Sequence, residues 1–148
     1  MPLGGPLRGR CMCGDIRYHI DQTPTSMGLC HCKHCQRQAG SAFSTMITVP
    51  TEAFSIERGQ TTTYLGPTES GNSTEIHFCG RCGSPIFSTL TNQPDLILIK
   101  AGTLDDTSWF EPQYHVWSDH KQNWVELKDN AQQDEFNGLS SNPQGAIQ

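Results

Sequence analysis

Nowhere in the 148 residues is there an apolar run long enough to cross a membrane. Met1 to Arg10 holds prolines, glycines and two arginines but lacks the apolar stretch of a secretory signal. These absences lead us to expect a cytoplasmic protein without a membrane partner, in which the Asn72-Ser73-Thr74 sequon is coincidental. Basic segments are missing too: Lys and Arg number 10 against 15 Asp and Glu, a formal charge of −5, so nothing offers the basic patch that nucleic acid requires. There is no internal repeat, no interdomain linker and almost no long stretch of helical period, which leaves one mainly β domain. With 34% hydrophobic and 8% aromatic residues, its core is modest and stands to gain from a metal clip.

What the chain does have is cysteine. Seven occur, and in a reducing compartment such spacings favour metal ligands over disulfides. Cys30-His31-Cys32-Lys33-His34-Cys35 places three thiols on one tight loop, matching a catalytic zinc with three protein ligands and an open fourth position. Cys11 and Cys13 near the N-terminus and Cys79 and Cys82 far downstream supply four sulfurs, the closed complement of a structural zinc. Gly14 and Gly83 follow these pairs, where a metal-binding turn needs positive φ. The expectation is two zinc ions per chain: a closed site on Cys11, Cys13, Cys79 and Cys82, and an open, catalytic one on Cys30, Cys32 and Cys35.

Along the chain, Asp15 to Ile20 alternates as a half-buried strand, with Ile16, Tyr18 and Ile20 inward. Gln22 to Gly28 reads as a polar turn. Gln36 to Ala39 reads as one helical turn stopped by Gly40, and Phe43 to Val49 as a strand ended by Pro50. Phe54 to Glu57 and Thr61 to Leu65 read as strands about a hairpin-like turn at Arg58-Gly59, followed by a loop from Gly66 to Asn72. Thr74 to Phe78, Pro85 to Leu90, Leu96 to Ile99, Tyr114 to Trp117 and Asn123 to Leu127 complete the strands, and a short helix is expected over Asn130 to Phe136. Residues 1–8 and 138–148 are expected to be flexible tails around a domain at 9–137.

The series Gly9-Arg10-Cys11-Met12-Cys13-Gly14, Cys30 to Cys35 with Gly40-Ser41-Ala42-Phe43, and Phe78-Cys79-Gly80-Arg81-Cys82-Gly83-Ser84 resembles the glutathione-dependent formaldehyde-activating enzyme family. Ala101-Gly102-Thr103-Leu104-Asp105 and the spaced Pro112, His115 and Trp124 add to the resemblance. It implies an Mss4-like β-tent of short antiparallel strands, a structural zinc on the first and last cysteine pairs, and a second zinc on the central three. It also implies glutathione as co-substrate, and a carbon-sulfur lyase activity joining it to formaldehyde as S-(hydroxymethyl)glutathione.

The residues favour thiol chemistry on their own account. Three thiolates make zinc a weaker Lewis acid than three histidines do, and an open position among soft ligands suits an incoming thiol. A small thiol and an aldehyde are the expected partners. His34 could instead close the trio as a Cys3His structural site, whereas His31 should point away between its flanking cysteines. Either histidine could carry protons or merely sit in the loop. Lys33 and Arg37 are candidates for the glutathione carboxylates, or ordinary solvated cations. His19, His77 and His120 read as surface residues, His115 as a family position or a packing residue, and Trp109, Trp117 and Trp124 as core or rim aromatics. The rival class is a non-catalytic zinc module that binds a protein. Methionine sulfoxide reduction on a related fold needs a free nucleophilic cysteine, and none is spare.

Overall fold

The computed structural model describes residues 5–68 and 71–127 with side chains, and the backbone of 132–133. Eleven strands appear among them: β1 (Leu7–Arg10), β2 (Arg17–Ile20), β3 (Ser26–Cys30), β4 (Ser44–Pro50), β5 (Phe54–Arg58), β6 (Thr62–Pro67), β7 (Ser73–Phe78), β8 (Pro85–Leu90), β9 (Gln93–Lys100), β10 (Tyr114–Val116) and β11 (Gln132–Gln133). One helix, α1 (Lys33–Ala39), and three single 3-10 turns accompany them. The expected mainly β domain is what is found.

The strands form two sheets. A small one runs β1-β2-β5, and a large one runs β11-β10-β3-β4-β9-β8-β7-β6. Pairing is antiparallel except around β10, which lies parallel to both β3 and β11. The alternation of β2 buries Ile16, Tyr18 and Ile20 at 1% exposure or less, and these side chains pack with Ile47, Val49, Ile97 and Ile99 of the large sheet. The apolar run of β9 is continuous because β4 and β8 flank it on both sides.

The segment Ala101-Gly102-Thr103-Leu104 proves to be architectural. It forms a 3-10 turn after β9; Thr103 Oγ1 donates to the Lys100 carbonyl at 2.8 Å and lies 2.7 Å from the Tyr18 hydroxyl, while Leu104 bridges to Gly9. The turn thus ties the end of the large sheet to the small one.

Several expectations are corrected. Leu7 and Arg8, read as part of a loose tail, pair with Ile20 and His19 in β1. Ser26 to Gly28, read as a turn, lies in β3 between β4 and β10; the Tyr114 ring covers Gly28 so closely that a methyl group there would collide with it. Arg58-Gly59 does not make a hairpin, because β5 joins β2 in the small sheet and β6 joins β7 in the large one. Gly59, at φ 84°, instead turns the chain from one sheet to the other. Asn123 to Leu127 is not a strand: Val125 N donates to the Gln122 carbonyl and Lys121 Nζ to that of Val125, so turn bonds occupy the backbone. Of the helix expected over Asn130 to Phe136, Gln132–Gln133 is strand, and the remainder lies outside the described residues, as does the tail expected at 138–148. His77, read as a surface residue, is half-buried and stacks on Phe87 with ring centroids 4.0 Å apart.

Candidate metal centres and the adjoining cavity

The four outer cysteines occupy two matching turns. Residues 11–16 connect β1 to β2, and residues 79–84 connect β7 to β8, so the turns belong to different sheets. In each, the first cysteine bonds across its own turn: Cys11 N to the Ile16 carbonyl at 3.1 Å, and Cys79 N to the Ser84 carbonyl at 2.9 Å. Gly14 and Gly83 take φ of 83° and 79°, the conformation anticipated for them.

The four sulfurs converge within 4.8 Å of one another. Cys11 and Cys13 Sγ stand 3.5 Å apart, and Cys13 and Cys79 Sγ 3.8 Å apart. A tetrahedral zinc about 2.3 Å from each sulfur would set neighbouring sulfurs roughly 3.8 Å apart, so the donor set fits such an ion. Hydrogen bonding from Ser84 favours the Cys82 thiolate and lowers its pKa to about 5. At Cys13 the Asp15 backbone N–H also favours the thiolate, but burial and the adjacent sulfurs prevail and push the thiol up to about 12. Arg81 and Asp15 add an exposed ion pair at 3.0 Å between the two turns.

The inner cysteines come together where β3 enters α1. Cys30 ends β3, Cys32 caps the helix by accepting from Cys35 N at 3.2 Å, and Cys35 lies in its first turn. Gly40, at φ 61°, closes the helix, which begins three residues before the expected Gln36. The three sulfurs lie within 4.8 Å of one another, and no His, Asp or Glu atom joins them among the described residues. Cys30 and Cys32 are buried, and Cys35 is half-buried. Hydrogen bonds from Cys30 and Cys32 hold the Cys35 thiol well below the ordinary range, with Lys100 and His34 adding positive field, while burial pushes Cys30 well up.

The two histidines of this loop part company. His31 turns away from the sulfurs, as expected, and packs against His115: Nε2 to Nδ1 is 3.0 Å, and the rings stack 5.2 Å apart. Both rings are wholly buried. His34 lines the cavity beside the trio without entering the sulfur group.

That cavity has a volume of about 410 Å³. Cys30, Cys32 and Cys35 line it together with a sheet face carrying Tyr64, Ile76, Leu90 and Leu98. Arg37 reaches the cavity, but Lys33 faces a separate, shallower depression on the other side of α1. Two side chains to which the sequence reading gave no role in the site organise the surroundings. Lys100 lines the cavity, with Nζ donating to Ser44 Oγ at 2.9 Å; burial lowers its pKa and the three sulfurs oppose that shift. Gln36 is buried in α1, donates to the His31 and His120 carbonyls at 2.7 and 3.1 Å and accepts from Gln122 at 3.1 Å, fixing the cysteine loop to the segment after β10. A lysine ending an apolar strand directly before the Ala101-Gly102-Thr103 segment was the available signal for the first. For the second there was none.

A sequence model of the glutathione-dependent formaldehyde-activating enzymes matches residues 6–120. The chain belongs to that family. A relative within the family, from Halomonas elongata, is 25% identical over 137 residues, covering 89% of this chain and 87% of its own, and its name is that of the same enzyme. The crystal structure of a Rhodobacter sphaeroides protein superimposes with a TM-score of 0.55 at 20% identity, over 66% of this chain and 87% of that one, a likeness of fold. The family match spans both cysteine groups and Lys100. No helix among the described residues is long and apolar enough to cross a membrane.

Proposed function

We propose that the chain is a zinc-dependent enzyme of the carbon-sulfur lyase type, joining a small thiol to a small aldehyde as an S-hydroxyalkyl adduct. Glutathione and formaldehyde are the substrates that its family describes. One observation carries the reading: three convergent sulfurs, with no fourth donor beside them among the described residues, line a ligand-sized cavity. Cys30, Cys32 and Cys35 would hold a zinc ion, which would supply the positive charge that keeps an incoming thiol deprotonated.

The remaining tasks fall to the chain. Lys100 Nζ, fixed by Ser44, donates a hydrogen bond to the aldehyde oxygen as it gains charge. A sulfur–carbon bond forms, the carbonyl π pair moves to oxygen, and that oxygen ends with the proton the thiol gave up. Arg37 offers a carboxylate of the thiol tripeptide a bidentate partner at the helix side of the cavity. Apolar walls limit water around the adduct. In this assignment Cys11, Cys13, Cys79 and Cys82 hold a structural zinc between the sheets, and the rest of the domain keeps the two sites apart.

Exchange spectroscopy on formaldehyde and glutathione tests the proposal, because adduct formation also proceeds without enzyme. The zinc-loaded chain should accelerate exchange well above that background, and Cys30→Ser should return it to background. A chain that binds no glutathione and leaves exchange unchanged is a zinc scaffold for some other partner.

A further inference from the structure

The sheet face that lines the cavity with the cysteines is wider and more apolar than a one-carbon aldehyde can use. Its residues come from one face of the large sheet, at alternating positions: Tyr64 on β6, Ile76 on β7, Leu90 on β8, and Leu98 with Lys100 on β9. Tyr64, Ile76, Ser88 and Leu98 are direct cross-strand neighbours, so they form a continuous row. Strands lie about 4.8 Å apart, which puts β6 roughly 14 Å from β9. Formaldehyde, with two heavy atoms, fills about 60 Å³ if each takes the share of one water, against a cavity of about 410 Å³.

Glutathione has the bulk to fill that volume, but its charges do not match the sheet face. It brings two carboxylates and an ammonium, and these need charged or hydrogen-bonding partners. Among the described residues the Arg and Lys side chains on the cavity are Arg37 and Lys100, on α1 and beside the cysteines. The sheet face presents Tyr64, Ile76 and Leu90, with the hydroxyls of Thr68, Thr74 and Ser88 between them and no charged group, and Tyr64 is 59% exposed. Leu90, Leu98 and Met46 pack in one cluster with Cys30 and Cys32, so the apolar surface begins at the sulfurs themselves.

We infer that the carbonyl substrate bears an apolar substituent of several carbons, a medium-chain alkanal, whose tail lies along the row from Leu98 to Tyr64 and whose oxygen meets Lys100. This rests on the thiol-adduct reading above. The bond changes are those already given: sulfur adds to the carbonyl carbon, and oxygen receives the electron pair and the thiol's proton. The charged ends of the tripeptide stay beside Arg37, and the alkyl tail takes the sheet face.

Calorimetric titration of the zinc-loaded chain with S-methylglutathione and S-hexylglutathione, stable stand-ins for short and long adducts, tests this directly. Each buried methylene is worth about fourfold in affinity, so with the tail partly buried S-hexylglutathione should bind on the order of a hundredfold tighter, with a more negative heat-capacity change. Ile76→Ser, in the middle of the row, should cut the ratio between the two ligands about tenfold. Equal binding of both ligands, or binding of neither while glutathione itself binds, overturns the alkanal assignment and leaves the thiol-adduct reading in place, whereas binding of none of the three overturns both. The homologous series on the unaltered chain needs no variant to fold.

Discussion

Cys13 and Cys79 bring their sulfurs to 3.8 Å although 66 positions of sequence separate them. One sits in the turn of the small sheet and the other in the turn of the large sheet, so a metal ion between them would join elements that otherwise meet mainly through the core and the Thr103 turn. Much of what can be measured follows from that link and from its contrast with the open trio.

Loss of a ligand should separate the two sites. Cys79→Ser should lose one of two bound zinc ions and about 4 kcal/mol or more of stability, with broadened unfolding, since a structural site's binding free energy is folding free energy. Cys30→Ser should also lose one ion but unfold cooperatively, and should no longer bind glutathione. Metal analysis paired with denaturant unfolding reads both, and similar stability losses in the two variants would contradict the division.

Ser84 serves both turns at once. Its Oγ accepts from Met12 N at 3.0 Å and lies 3.3 Å from Cys82 Sγ, so Ser84→Ala should cost about 1 to 2 kcal/mol. Because the folded pKa of Cys82 is depressed to about 5 from 9, its contribution is present above 9 and is lost as pH falls through 5. Removing the hydroxyl raises that folded value. The acid limb of zinc retention, followed with a chromogenic chelator, should therefore move to higher pH in Ser84→Ala.

Lys100→Met keeps length and apolar fit while deleting the donor near the sulfurs. Its kcat/KM for adduct formation should fall roughly a hundredfold, the scale of losing one preorganised donor to a developing oxyanion. Lys100→Arg should recover part of that, with glutathione affinity nearly constant in both. A variant as active as the parent would remove Lys100 from the chemistry.

The metal-free chain offers a further check. Within the trio, Cys35 is the least buried and its thiol is held below the ordinary range by Cys30 and Cys32, whereas buried Cys30 is pushed up. After chelation at neutral pH, iodoacetamide should label Cys35 before Cys30 and Cys32, as peptide mass mapping will show.

Local chemistry was legible in the sequence and remote pairing was not. The two sulfur groups, the alternation in β2 and the turn glycines each depend on residues within a few positions, so spacing alone reveals them. The turn of His31 away from the sulfurs was also foreseeable from its place between Cys30 and Cys32. Lys100 joins the site only because Met46 of β4 pairs with it, a register set by tertiary packing. The same limit explains the hairpin expected at Gly59: a turn signal shows that the chain bends, not which sheet receives it. Ser26 to Gly28 lack β-branched residues and become strand because β4 and β10 supply partners on both sides. Trp117, buried at φ 57° beside the trio, is held there by packing that no local propensity encodes.

The partition of sulfur into a closed four and an open three is most directly tested by cadmium-113 NMR of the cadmium-substituted chain titrated with glutathione. The account predicts two resonances, one from a four-sulfur site that stays fixed and one from a three-sulfur site that shifts as the thiol binds. A single resonance, or two that ignore glutathione, would contradict it.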